Sequence, residues 1–438
     1  MKPIAGAALV FTACAMSACS LRFGTVGAWS NEKSPPASLQ SASSVAMPDG
    51  EVVFMGGFDL GTGRPLDRVL RFDPKDKSWS QGAPMPVSQY GYAMAALLNG
   101  SVLVAGGQGT AGGDIVLATT WLYSLQLNTW SKGGNLHVAR SGATPVLLTD
   151  GRVLIAGGYV PLATPIQLPN ATDYLGLSSS AETFDPQTNA WSLVGSMHAA
   201  RGAFALLALA HGVALAAGGC ASTNQGFFEG GAVNNTELFD PATGAWTIAS
   251  PLPEPRCGAS ALLLRDGRAL LTGGLDLQGG SVTDAFVYDE QEHAWTAAGS
   301  TVQGVSAPIL LADGRVFVAA VQAGQIQGRI QSLVVGGQLF DPASGEWRFA
   351  TSNSVLVTFQ FGQEQSLSPT VVARSDDTAV VLLGTGGVAL TFNPLGQPPP
   401  ALIFDSCGLA LVLAGVAAAL CLWLAIYYVR NRVRGLSR

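Results

Sequence analysis

Three arginines stand at one register. Arg140, Arg201 and Arg256 each lie seventeen residues before the first glycine of a Gly-Gly pair, at Gly157, Gly218 and Gly273. Elsewhere the same register reads Leu39, Gln89, Gln303 and Leu367. A guanidinium is a planar fork that bonds both oxygens of a carboxylate. Three on neighbouring units, flanked by Gln89 and Gln303, would form a positive sector suited to an acidic peptide or an acidic glycan. The competing expectation is internal: each arginine bonds loop carbonyls or stacks on neighbouring side chains. The residue types alone leave both open.

Two histidines share a register three residues upstream, His137 and His198. With no acid or cysteine beside them in sequence they make a poor metal site, so they are expected as surface-loop residues on the same ligand-facing loops. Cys220 follows one glycine pair and Cys257 follows Arg256. They form a candidate disulfide, but pairing needs Cα atoms within about 7 Å, and two separate buried thiols are the preferred expectation. There is no zinc-type Cys/His spacing, no phosphate-binding loop and no nucleophile elbow. No cofactor, metal or catalytic residue is therefore assigned, and binding is preferred to catalysis.

These residues are carried by a repeat. The stretch from Arg140 to Gly158, RSGATPVLLTDGRVLIAGG, places an Asp-Gly turn between two apolar runs, the strongest short hairpin signal. It returns from Arg201 and from Arg256. Asp49, Asn99, Asp150, His211 and Asp266 each precede a glycine pair by seven residues. In the sixth unit Asp313 points to Ala320-Val321, and in the seventh Asp377 points to Gly384-Thr385. An aromatic run ending in a turn follows, as in Phe184-Asp185-Pro186, and then a tryptophan: Trp29, Trp79, Trp130, Trp191, Trp246, Trp295 and Trp347.

Double glycine, aromatic strand and tryptophan at a period near ~50 residues resemble the kelch repeat, over residues 24–394. The resemblance implies an all-β, seven-bladed propeller with four antiparallel strands, a to d, per blade. Trp29 has no strands a to c before it, and the seventh unit has no tryptophan after it. Residues 24–30 are thus expected to supply strand d of the seventh blade and close the ring. In kelch proteins that bind acidic peptides, arginines on the d–a loop contact the ligand, which implies that role for Arg140, Arg201 and Arg256. Copper-radical oxidases of kelch type need a cross-linked Cys–Tyr pair, a second Tyr and two His, and no matching set stands out. An enzyme acting on a carboxylated sugar, of the sialic-acid mutarotase type, is the alternative, with Glu229 and Glu254 as the nearby acids; a purely structural envelope protein is a third reading.

In such a meander the a–b and c–d turns share one face and the b–c and d–a loops the other. From first glycine to tryptophan the b–c span runs from 22 residues (273 to 295) to 34 (157 to 191). With the inserts at 159–180 and roughly 350–366, all length variation collects on one face, where binding usually sits.

The 438 residues are 48% hydrophobic and 12% charged, with 54 glycines, which suits many short buried strands. A net charge of -6 argues against nucleic acid. Residues 1–19 read as an export signal ending in a lipobox-like Met16-Ser17-Ala18-Cys19, with Cys19 the lipidation candidate. A Pro-rich linker (395–407), an uncharged span (408–429) long enough for a transmembrane helix, and a basic tail (430–438) follow. The expectation is a monomeric propeller held outside the cytoplasm, in a bacterial cell envelope, by a membrane anchor.

Overall fold

The computed structural model describes residues 28–31, 35–36, 42–59, 62–109, 115–168, 171–221, 231–303, 305–327, 330–358, 370–373, 378–383 and 388–395. They belong to one compact unit, Val26–Gly396. Cys19, the span, the basic tail, Leu39, Leu367 and Glu229 lie outside them.

The described residues form strands and turns only. Seven sheets of at least four strands follow one another: A within 42–81, B within 93–132, C within 144–193, D within 205–249, E within 260–300, F within 309–358, and G within 370–393. Each is an antiparallel meander. In sheet C, Thr144–Leu147, Val153–Ala156, Ala181–Asp185 and Ala190–Leu193 serve as strands a to d. The fourth strand of sheet G is Ala28–Asn31, from the other end of the chain, with Trp29 opposite Phe392. Hydrophobic clusters couple A to B, B to C and onward to F with G, and another couples G back to A.

Local chemistry explains the meander. Gly151 takes a positive φ of 88°, and the Asp150 carboxylate accepts the Arg152 N–H at 2.9 Å, closing the a–b turn. Strand b is buried on both sides because neighbouring sheets sandwich it; Val153 to Ala156 are all 0% exposed. The tryptophans of strand d fill the seams. Trp191 packs on Phe184 with ring centroids 5.1 Å apart, and its indole N–H donates 2.9 Å to Thr120 Oγ1 of sheet B. Trp191→Ala is expected to cost roughly 3–5 kcal/mol of unfolding free energy. Denaturant titration checks this, and a loss under about 1 kcal/mol would contradict the seam-filling role.

The glycine pair has a steric cause. Gly157 and Gly158 have φ of 65° and 81°. The loop entering the next sheet packs directly on them: the Gly158 N–H donates to the Arg201 carbonyl, with which a Cβ at Gly157 would collide. Sheet F lacks the pair, and its strand b does not stop. Val316–Gln327 and Ile330–Asp341 form one long hairpin, onto which Asn353–Thr358 adds a further strand. In sheet C the glycines do end strand b, and the insert becomes a separate two-stranded ribbon, Tyr159–Leu168 with Ala171–Leu177.

Candidate functional site

Arg140, Arg201 and Arg256 open the loops into sheets C, D and E, and they are 1%, 0% and 0% exposed. Arg140 donates from Nη1 to the carbonyls of Gly157 (3.1 Å) and Ser180 (2.9 Å), and from Nη2 to Ser180 Oγ and Glu182 Oε1 (3.0 Å). Arg201 repeats this with Gly218, Asn235 and Glu237 Oε1 (2.9 Å). Arg256 reaches the Asp284 carbonyl at 2.7 Å and lies 4.8 Å from the Phe286 ring centroid. Burial pushes all three guanidiniums down, Arg201 to about 10, with Glu182 and Glu237 opposing the shift at Arg140 and Arg201. Arg201 therefore remains charged at neutral pH.

The backbone completes a belt. The carbonyls of Arg140, Arg201 and Arg256 accept N–H bonds from Gly107, Gly158 and Gly219 of the preceding sheets. Each side chain bonds the first glycine carbonyl of its own sheet, most weakly at Arg256 with 3.5 Å. The arginines thus tie each sheet to the one before it. The internal alternative describes the geometry: the forks of Arg140 and Arg201 face carbonyls and a carboxylate, that of Arg256 faces carbonyls and the Phe286 ring, and none of the three arginines is more than 1% exposed.

Glu182 and Glu237 were missed by reading the sequence. Each is essentially unexposed and takes, besides its arginine, the backbone N–H and the Nδ1 of a histidine: His137 at 2.8 and 2.9 Å, His198 at 2.7 and 2.8 Å. The signal was available. Both stand two residues before the aromatic of strand c, where other units have Leu70, Trp121, Phe286, Gln338 and Leu390. Units with leucine at the arginine register, Leu39 and Leu367, have leucine here too. Gln338 does related work in sheet F, where its Oε1 accepts the Val302 N–H at 2.7 Å.

The rest of the expected ligand set divides. Gln89 is buried, opposite Gly109 in a small sheet, whereas Gln303 is exposed. The His137 and His198 side chains are 47% and 50% exposed. With Nδ1 facing glutamate, Nε2 is the histidine nitrogen left for other contacts. Among the described residues no group of three His, Cys, Asp or Glu could hold a metal. Glu254 is exposed.

Cys220 and Cys257 are joined in a disulfide with Cα atoms 4.9 Å apart, which corrects the expectation of two separate thiols. The cause is again register. The residue after the arginine position bridges to the residue two past the first glycine of its own sheet: Ser141 to Tyr159, Gly202 to Cys220, Cys257 to Leu275. The corresponding positions of adjacent sheets also meet. At the A–B seam they are Phe58 and Tyr90, with ring centroids 5.2 Å apart, and at the D–E seam they are the two cysteines.

A closed succession of antiparallel meanders, each with a tryptophan on its strand d and five of them with a glycine pair, defines a β-propeller built from sequence repeats. In motif and fold the chain is similar to kelch-repeat β-propellers. A family model for the kelch motif matches residues 41–86. Kelch-like protein 35 of Mus musculus is 25% identical over 297 residues, 67% of this chain and 45% of that protein. Alpha-scruin of Limulus polyphemus is 26% identical over 262 residues, 56% of this chain and 26% of that protein. The matched stretch thus spans less than half of either relative. Among solved structures, that of YjhT superposes with a TM-score of 0.52 at 17% identity, covering 74% of this chain and all of the other, a likeness of fold.

Proposed function

We propose that this chain is a seven-bladed kelch propeller, closed by its N-terminal strand, that serves as a binding module outside the cytoplasm. In this reading a C-terminal transmembrane helix, and a lipid on Cys19, tether it to the membrane of a bacterial envelope. The observation that carries the binding role is the concentration of length variation on one face, where sheet C raises a two-stranded ribbon and sheet F a longer hairpin with an added strand. Variable loops on a rigid scaffold are where recognition is usually placed. The Cys220–Cys257 disulfide supports an oxidising compartment.

Acidic ligands lose their anchor, because Arg140, Arg201 and Arg256 are at most 1% exposed. The same burial counts against an enzyme that would hold a carboxylated sugar through them, so binding ranks first. Recognition then rests on the ribbons and on surface residues such as His137, His198 and Gln303. The test is cross-linking in native membranes with the intact chain and with a variant whose 160–176 ribbon is replaced by a short turn. A partner captured by the intact chain and lost by the ribbon variant is the expected result. Equal capture by both would sink the assignment to this face.

A further inference from the structure

The opposite face carries a feature that the binding role does not use. In sheets A, C, D, E and F at least one of the a–b and c–d turns is built on an aspartate, such as Asp73, Asp150, Asp240, Asp289 or Asp341. Sheet B differs at both turns. Asn99 replaces the a–b aspartate and accepts the Ser101 N–H at 3.0 Å; Ser124 replaces the c–d aspartate and its Oγ accepts the Leu127 N–H at 3.2 Å. The caps are retained while the charge is removed. The two turns, Leu97 to Ser101 and Ser124 to Asn128, contain no ionisable side chain. Leu98 and Leu127 stand at their tips, 69% and 70% exposed. Arg71 of sheet A bonds the Leu125 carbonyl and is paired with Glu51, and on the other side Gly151, between the paired Asp150 and Arg152 of sheet C, adjoins Leu98.

This corner shares its face with the two ends of the described propeller strands, Ala28 and Asn393. Ala28 begins strand d of sheet G opposite Asn393, so the chain enters and leaves at the c–d end. Leu395, 70% exposed, lies there as well. Only twelve residues, 396–407, separate it from the uncharged 408–429 stretch, a reach of at most ~40 Å. Leucine-tipped turns with no charge of their own, on a face held that close to a bilayer, suit the headgroup–acyl boundary, where apolar side chains bury.

We propose that the Leu98/Leu127 corner of sheet B docks into the membrane interface and sets the orientation of the propeller above it. The inference rests on the membrane-tether reading. The test uses the full chain reconstituted into vesicles of phosphatidylethanolamine and phosphatidylglycerol, with a benzophenone amino acid at position 98, 127 or, as control, 193. Leu193 is 57% exposed on the outermost strand of sheet C. Mass spectrometry is expected to find lipid adducts at 98 and 127 several-fold above those at 193. Flotation of the unmodified chain reports the tether separately. A chain that floats with the vesicles yet gives no excess of lipid adducts at 98 and 127, or gives adducts to protein alone in native membranes, overturns the docking while leaving the tether intact. A chain that does not float overturns both.

Discussion

Replacing Glu237 by alanine should lower the unfolding free energy by about 3–5 kcal/mol, the cost of stranding a buried charge. Glu237 is 1% exposed and Arg201 is 0% exposed. The carboxylate takes Arg201 Nη2 at 2.9 Å and the His198 backbone N–H at 2.7 Å. Alanine would leave a guanidinium bonded only to carbonyls and an amide without its acceptor. A surface pair would be worth far less, about 0–1 kcal/mol. The comparison that isolates the mechanism is the double variant Arg201→Leu/Glu237→Leu. The Leu39 with Leu70 and Leu367 with Leu390 units carry apolar residues at these two registers. Apolar replacement of a whole buried pair is often close to neutral, so the double variant should recover most of the loss. Denaturant unfolding of both variants reads the difference. A Glu237→Ala loss below about 1 kcal/mol, or a double variant worse than the single, would show that the pair is not the clamp of this loop.

Opening the disulfide should have an effect of similar size. Cys220 and Cys257 close a loop with a sequence separation of 37 residues, and the chain-entropy relation puts such a cross-link at about 4 kcal/mol. The bond also fastens sheet D to sheet E at a seam where the arginine clamp is weakest. Arg256 has Phe286 where its counterparts have glutamate, and its bond to the Gly273 carbonyl is long at 3.5 Å. The expected result is a clear drop in melting temperature on adding reductant to the wild-type chain, and none in Cys220→Ser/Cys257→Ser, which should already melt at the lower value. An unchanged melting temperature with the thiols shown to be free would remove the stabilising role.

The fold was legible because its determinants are local and repeated. Asp-Gly turns, glycine pairs and tryptophans recur at fixed intervals, and each interval counts residues along a strand or turn. From Asp150 to Gly157 the chain turns and runs the length of strand b, so the spacing is itself a structural measurement. The lost glycines at Ala320-Val321 were equally readable, and their consequence is the uninterrupted strand Val316–Gln327. The face bearing the variable loops followed from the same counting.

The site was not legible in this way, and the physical reason is direction. Sequence places Arg140, Arg201 and Arg256 on a loop near an opening but does not say where a long side chain points. That depended on Glu182 and Glu237, about forty residues downstream, reaching the same place only when the loop folds onto strand c. The disulfide was hidden for the same reason, since its halves meet only where sheets D and E pack. By itself the sequence determined the repeat, the order of the strands and the closing strand. Only the tertiary structure decided that the arginine register faces inward, because a buried charge goes where carbonyls and a carboxylate can compensate it, and those partners come from packing.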